Sequence, residues 1–427
     1  MPKLMVFSHS GFSDSDANGI TMKNLLSAFA PEEKAEFYLD VQTPDYSAAH
    51  RYFRVTDTQM VKAFFGKKAR HIFNYDPSEK EASSPKKSGG SPKKIPTWLK
   101  KQKYNFTLKW LREQLWGISP WGHRHLKRWI EEFAPDAVVY MVGESIFMDK
   151  LVLSTCRQLQ IPLVLYNGEA FRIIDLKSRR GLERAYYRRV EKLYEQLNRQ
   201  AAAVLYNCEM LRRDYEAKYP RNGASLVVYN SAACDHSPYT CGDSRNITYF
   251  GNLGVGRSDA LLNVAGILKR IDPALRLDIY GNALPEAARR FEETENIRYH
   301  GFVDAQTLHG IVEKSDILLH VESFDPQIIP KLKYAFSTKI AQCLCAGRCF
   351  VSFAPTGTAS SHYLRSAEGA LLVSDEEALE QLLLQLVQDG QLRQEYARKG
   401  AQTGLTNHKM ETTAAFVRQT IEELLHG

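Results

Sequence analysis

The sequence predicts an α/β protein of two doubly wound domains, and three observations carry the prediction. Short apolar runs alternate with helical periodicity along most of the chain, the pattern a parallel sheet with crossover helices requires. The alternation lapses at residues 230–246, where turn formers replace any periodicity. The 427 residues are enough for two cores of ordinary domain size.

The first half opens as strand, glycine-containing loop and helix. Leu4 to Ser8 is apolar, Gly11 to Gly19 is small and polar, and Thr21 to Phe29 has helical spacing. Residues 78–97 are rich in Ser, Gly and Lys and have almost no apolar side chains with which to offset chain entropy, so they read as a mobile basic insertion. Strands follow at Ala137 to Val142, Pro162 to Tyr166, Ala202 to Tyr206 and Leu226 to Tyr229. In the second half the strands are Thr248 to Gly251, Arg276 to Tyr280, Ile297 to His300, Ile317 to Val321, Phe350 to Phe353 and Ala370 to Val373. The expected domains are therefore 1–232 and 240–405, with a helix over 406–427 packing back on the N-terminal domain. Two such halves should face each other across a cleft, at the carboxyl ends of their strands, where open α/β sheets bind ligands.

Hydrophobic residues make up 44% and charged residues 25%, the profile of a folded protein rather than a disordered one. No apolar run approaches the ~20 residues that span a bilayer, and Met1 leads straight into a strand without a signal-peptide layout. A cytoplasmic location is expected. The seven cysteines form no CxxC pair, so their spacing points to neither a zinc site nor a disulfide framework.

Charge is concentrated rather than spread. Lys93 to Trp129 holds ten Lys/Arg and one Glu, a local +9 within a chain of net charge +7, and all five tryptophans lie in the same stretch. Arg172 to Arg199 adds nine basic against four acidic residues. Such a surface suits an anionic membrane or a nucleic acid, whereas tryptophans packed in the core with solvated lysines would make it purely structural.

Three segments carry candidate chemistry. The strand Ile247 to Gly251 feeds Asn252-Leu-Gly254-Val-Gly256-Arg257 and then a helix. Glycines allow close backbone approach, a helix start offers free N–H groups, and an arginine donates in bidentate fashion, which together suit a diphosphate; an ordinary turn with a surface arginine reads the same way. Ser337 begins a short helix as its N-cap, and Lys339 in the first turn opposes the helix dipole unless an anion is bound or the amine points to solvent. Glu322 follows the strand Ile317 to Val321, where its carboxylate suits a hydroxyl-rich ligand.

Gly251 to Arg257, Tyr299-His-Gly-Phe302, Ser315-Asp-Ile-Leu-Leu-His-Val-Glu322-Ser-Phe324 and Phe336-Ser-Thr-Lys-Ile340 leading to Cys345-Ala-Gly347 together resemble family 4 of the glycosyltransferases. These are retaining sugar transferases of the GT-B fold, two Rossmann-like domains across a cleft. The resemblance is strong over 247–360, and Asn230-Ser231 also resembles the family's inter-domain junction. It implies a nucleotide-sugar donor, usually uridine-linked, held by the C-terminal half without a metal or other cofactor. On that basis Arg257 and Lys339 meet the diphosphate, with Gly254, Gly256, Ser337 and Thr338 beside it. The backbone at Gly301 and Phe302 meets the base, and Glu322 the sugar. Gln342 stands where the family usually has a ribose-binding glutamate; it can hydrogen-bond a hydroxyl but brings no charge. In the first half, the loop Ser10 to Gly19 resembles the family's phosphate-closing glycine loop, with Gly19 the best match. Glu144 stands where a histidine is often found, as an acceptor-side group or as a carboxylate satisfied by a helix end.

The expected activity is a metal-independent retaining glycosyltransferase in surface polysaccharide assembly, acting on a saccharide or lipid-linked saccharide and peripheral to the inner face of the cytoplasmic membrane through Lys93 to Trp129. A nucleotide-sugar epimerase of the same fold is the rival among enzymes. A nucleic-acid-binding protein using the basic stretch is a further rival, ranked lower because no nucleic-acid fold signature accompanies the charge.

Overall fold

Strand-forming runs in this chain are four to six residues long and pair almost wholly in parallel, and the central ones are buried on both faces. The computed structural model describes residues 1–14, 16–67, 71–74, 106–242 and 245–426. They divide into two compact units, Met1–Tyr206 with Arg212–Leu226 and Phe416–Gly427, and Val227–Ala415 with Asn207–Leu211.

The first unit holds an eight-stranded sheet in the order β4-β3-β2-β1-β5-β6-β7-β8. Its strands are β1 (Leu4–Phe7), β2 (Lys34–Tyr38), β3 (Arg51–Arg54), β4 (His71–Asn74), β5 (Ala137–Met141), β6 (Leu163–Asn167), β7 (Ala201–Tyr206) and β8 (Ala224–Val227). β4 runs antiparallel to β3. Chain order reverses at β1, which pairs with β2 on one side and β5 on the other, so the loops after β1 and β5 open side by side.

Three of these strands escape a reading by apolar periodicity, and β2 shows why. It carries Lys34 and Glu36, both buried, with the Lys34 amine donating to the Leu26 and Phe29 carbonyls and Glu36 accepting from the Ser8 hydroxyl and the Phe12 N–H. Burial pushes the Glu36 carboxyl up to about 8. The first helix is Ala17–Leu25 rather than Thr21 to Phe29, because the Asp16 side chain caps it by accepting from the N–H groups of Asn18 and Gly19. Gly19 thus lies in the first helical turn, not in the preceding loop.

The expected basic, tryptophan-rich surface changes character. The insertion near 78–97 and residues 93–105, Trp98 among them, lie outside the described residues. Trp116, Trp121 and Trp129 are core residues: Trp116 stacks on Phe147 at 4.1 Å and donates to Asp57, and Trp129 packs edge-on against Phe53. Trp110 is half-buried against Ile146, Tyr186 and Val190. The helix His123–Phe133 shows how the pattern divides, with Leu126, Trp129, Ile130 and Phe133 buried while Arg124, Lys127 and Arg128 stay exposed. The surface keeps charge there but no tryptophan to seat at an interface.

The second unit has a six-stranded parallel sheet in the order β11-β10-β9-β12-β13-β14. These are β9 (Ile247–Phe250), β10 (Leu277–Tyr280), β11 (Ile297–Gly301), β12 (Ile317–Val321), β13 (Cys349–Phe353) and β14 (Ala370–Val373). Leu261, Leu268, Ile279, Leu319, Val351 and Leu383 lie in its core. Its reversal falls between β9 and β12, which brings the loops after those two strands together.

The C-terminal helix Met410–His426 carries Arg418, which donates to the Ala28 carbonyl and pairs with Glu33 at 3.0 Å, contacts internal to the first unit. Just before this helix, His408 is fully buried. Its Nδ1 lies 2.7 Å from the Asn230 carbonyl, which can only accept, so Nε2 must accept from the Tyr363 hydroxyl at 2.7 Å. Burial lowers this imidazole from 6.5 to about 4. The unfolded chain therefore binds a proton that the folded one refuses. The stability this contributes is complete above pH ~6.5 and is lost as pH falls toward 4. Chemical denaturation from pH 7 to 4 should show His408→Gln less stable at pH 7 but with a shallower acid slope; equal slopes would contradict the assignment.

Candidate functional site

The turn after β9 is built on positive-φ residues. Gly251 has φ 135°, Val255 φ 58° and Gly256 φ 73°. Space is tight as well: a Cβ on Gly251 would push aside the end of the Lys339 side chain, 2.6 Å away at Cε, and one on Gly256 would lie 2.3 Å from Ser323 Oγ and 2.8 Å from its Cβ. Within the turn the Gly254 N–H donates to Asn252 Oδ1 at 2.7 Å. Gly256 then caps the helix Arg257–Ile271, whose first residue is Arg257.

Arg257 Nη2 lies 2.9 and 2.8 Å from the two oxygens of Glu322. Glu322, one residue past β12, is 3% exposed at its side chain, and Arg257 is 16% exposed. His320 sits two residues earlier on the same strand face, with Nε2 3.3 Å from Glu322 Oε1 and Nδ1 2.9 Å from Ser352 Oγ. Burial acts to raise the Glu322 carboxyl, but the His320 contact and the Arg257 guanidinium outweigh it and hold it below its ordinary value. The arginine expected to meet a diphosphate and the glutamate expected to meet a sugar thus meet each other. Because a guanidinium has five N–H donors, Arg257 keeps donors for a ligand while Glu322 fixes its orientation.

Ser337 caps the helix Thr338–Cys345, its hydroxyl accepting from the Lys339 N–H at 3.3 Å. The Lys339 side chain lies across Gly251 rather than out in solvent, with its amine 5.2 Å from the Phe250 ring centroid. It donates to Gln342 Oε1 at 2.8 Å, a neutral amide, and no carboxylate pairs with it among the described residues. Burial lowers its pKa, and the charge of Arg257 lowers it further. Two cations and two helix starts therefore converge on one turn, an arrangement that favours an anion. Gly301 ends β11 with φ 71°, and Phe302 beside it is 68% exposed.

In the first unit, a Cβ on Gly19 would lie 2.5 Å from the Gly11 carbonyl, so the helix start and the loop after β1 touch. Glu144 pairs with Lys109 at 2.8 Å instead of serving a helix end, and its side chain remains half exposed. Sequence reasoning passed over His9. It follows β1, its ring packs on Gly143 where a Cβ would be 2.1 Å from Cε1, and its Nε2 lies 3.0 Å from Ser145 Oγ. Burial, then Arg112 and Arg172, lower it to about 4, so it is neutral at ordinary pH. The pairing of Phe7 with Tyr140 brings this histidine from the end of β1 to the loop after β5, the loop that carries Glu144.

Two α/β units of this topology define the GT-B fold. Residues 260–419 match the family model described as glycosyl transferase-like. The whole chain is similar in structure to sucrose-phosphate synthase from Thermosynechococcus elongatus, with a TM-score of 0.64 at 12% identity covering 100% of both chains. HepE of Anabaena, solved in complex with UDP, gives 0.64 at 12% identity over 99% of this chain and 100% of that one. A glycosyltransferase from Rickettsia africae gives 0.58 at 11% identity, covering 99% and 98%. A comparison with curated protein sequences finds no match. At these identities the structural likeness is one of fold. Among the described residues no helix is long and apolar enough to cross a membrane.

Proposed function

We propose that the chain is a glycosyltransferase that moves a sugar from a nucleoside diphosphate donor, UDP-linked in the first instance, to a saccharide acceptor. The observation that carries this reading is the half-buried, carboxylate-free Lys339 amine beside Arg257, at a turn where two helices begin. The match of residues 260–419 to a glycosyl transferase-like family supports it, as does the UDP held by HepE. Arg257, Lys339 and the two helix starts stabilise the departing diphosphate, the charge that develops in the transition state. Ser337 and Thr338 lie at one of these starts, and the Gly254–Gly256 backbone approaches the phosphates. Gln342 holds Lys339 and offers its amide to a ribose hydroxyl. Attack on the same face of the sugar, with the leaving phosphate taking the acceptor proton, needs no protein nucleophile and no metal at this turn. Acceptor selection falls to the first unit, with His9 and Glu144 as its polar groups. For a lipid-linked acceptor in surface polysaccharide synthesis, the exposed Arg124, Lys127 and Arg128 of the helix His123–Phe133 offer contacts to an anionic leaflet, offset in part by Glu131 and Glu132 on the same helix.

The test is a screen of UDP-, GDP- and ADP-sugars with simple saccharide and lipid-linked acceptors, reading both nucleotide release and product. Release of one nucleoside diphosphate with a glycosylated product of unchanged anomeric configuration is the expected result. An isomerised donor without transfer would instead identify the epimerase. Failure of every nucleoside diphosphate to raise the melting temperature would remove the donor site itself.

A further inference from the structure

A second polar cluster lies in the same unit, away from the turn just described. Asp235 and His236 belong to the segment between β8 and β9, and His309 and Glu313 to the helix Ala305–Glu313. One ligand atom from each of Asp235, His236 and His309 lies within 4.8 Å of the others. The two imidazole rings stack at 4.0 Å. His309 Nδ1 is 3.8 Å from Asp235 Oδ1, and its Nε2 is 3.8 Å from Glu313 Oε1. These separations are too long for hydrogen bonds. Among the described residues His236 Nδ1 is buried with no hydrogen-bond partner, a state that calls for a ligand.

The backbone around these groups is already tied. Glu313 Oε1 accepts from the Ser237 N–H and hydroxyl at 3.2 and 3.1 Å. The buried Arg348 guanidinium donates to the Ser237 carbonyl at 2.9 Å and to the Glu313 carbonyl at 3.0 Å. Loop and helix end are thus held together while, among the described residues, His236 Nδ1 has no hydrogen-bond partner. Donors around a four-coordinate zinc ion stand about 3.3–3.6 Å apart and a metal lies in the plane of each imidazole it binds, so the site closes when the two stacked rings rotate out of parallel on this fixed frame.

We propose that Asp235, His236 and His309 bind a first-row transition-metal dication, Zn2+ in particular, with Glu313 accepting from His309 Nε2 and orienting that ring. Two imidazoles and one carboxylate form a borderline donor set suited to zinc and its neighbours rather than to calcium or magnesium. A carboxylate behind a ligating histidine fixes its tautomer and strengthens it as a ligand. The carboxylates of Asp235 and Glu313 offset the nearby Arg348. The metal is structural, not catalytic. Glu313 precedes the start of β12 and Glu322 follows its end, so the two lie toward opposite ends of a strand about 16 Å long. Its effect is to fasten the segment before β9 to a helix that begins just after Gly301 and Phe302.

The test uses the full chain, stripped with a chelator and titrated calorimetrically with Zn2+, with Co2+ as a spectroscopic probe. One equivalent of Zn2+ should bind, His236→Asn and His309→Asn should each weaken binding by more than about tenfold, and Glu313→Gln by about tenfold. Circular dichroism confirms that the variants fold. The double variant Cys234→Ser/Cys345→Ser should leave binding unchanged, and the Co2+ spectrum should show no thiolate charge-transfer band. The proposal falls if no metal binds, if the histidine variants bind as the parent does, or if the cysteine variant abolishes binding. A UDP-induced thermal shift measured in the same samples keeps this outcome separate from that of the donor site.

Discussion

Arg257→Ala is expected to lower stability by about 3 kcal/mol and to abolish the thermal shift produced by UDP. The stability loss follows from the partner left behind: Glu322 is almost wholly buried, and removing its guanidinium strands a carboxylate in a low-dielectric site, where such truncations cost about 3–5 kcal/mol. The low end applies because Arg257 itself retains some exposure. The second variant separates the two effects. Arg257→Ala/Glu322→Gln removes the stranded charge and should recover most of the lost stability by denaturant unfolding, while UDP still fails to shift the melting curve. Retention of the UDP shift in either variant would show that Arg257 serves Glu322 alone.

Lys339→Ala should behave in the opposite way. The amine is half-buried and has no carboxylate to leave unpaired, so stability should change by no more than about 1 kcal/mol. Binding of UDP should weaken by roughly 10–100-fold, the equivalent of a charge-assisted hydrogen bond worth about 1.5–3 kcal/mol. Calorimetry with UDP against uridine provides the readout, because uridine lacks the diphosphate and its affinity should not depend on the lysine. Equal losses for both ligands would mean that Lys339 shapes the turn through its packing over Gly251. An unchanged UDP affinity would remove the lysine from the site.

The central strands of the second unit were legible because they are short, apolar and buried on both faces, and β12 falls where periodicity places it. The first unit was read less completely. Lys34 and Glu36 disguise β2, since their charges are neutralised by carbonyls and hydroxyls that no local pattern announces. Helix starts show the same contrast. Ser337 was identifiable from its residue type, whereas Asp16 was passed over and the helix was placed four residues late.

The sequence by itself determined the alternation of elements, the glycine turn that ends at Arg257, and the position of Glu322 at the end of its strand. These depend on nearest neighbours along the chain: side-chain period, backbone freedom and capping. The tertiary structure decided what those groups face. It made Arg257 and Glu322 partners, because the reversal between β9 and β12 brings their loops together. It laid Lys339 over Gly251 and put His9 beside Ser145. It turned Trp116, Trp121 and Trp129 inward, because each buries more apolar surface in the core than any exposed position would allow. And it gathered Asp235, His236 and His309 from segments more than seventy residues apart, a proximity that arises when the central strands β9 and β12 pair in parallel and bring together the segments that precede their amino ends.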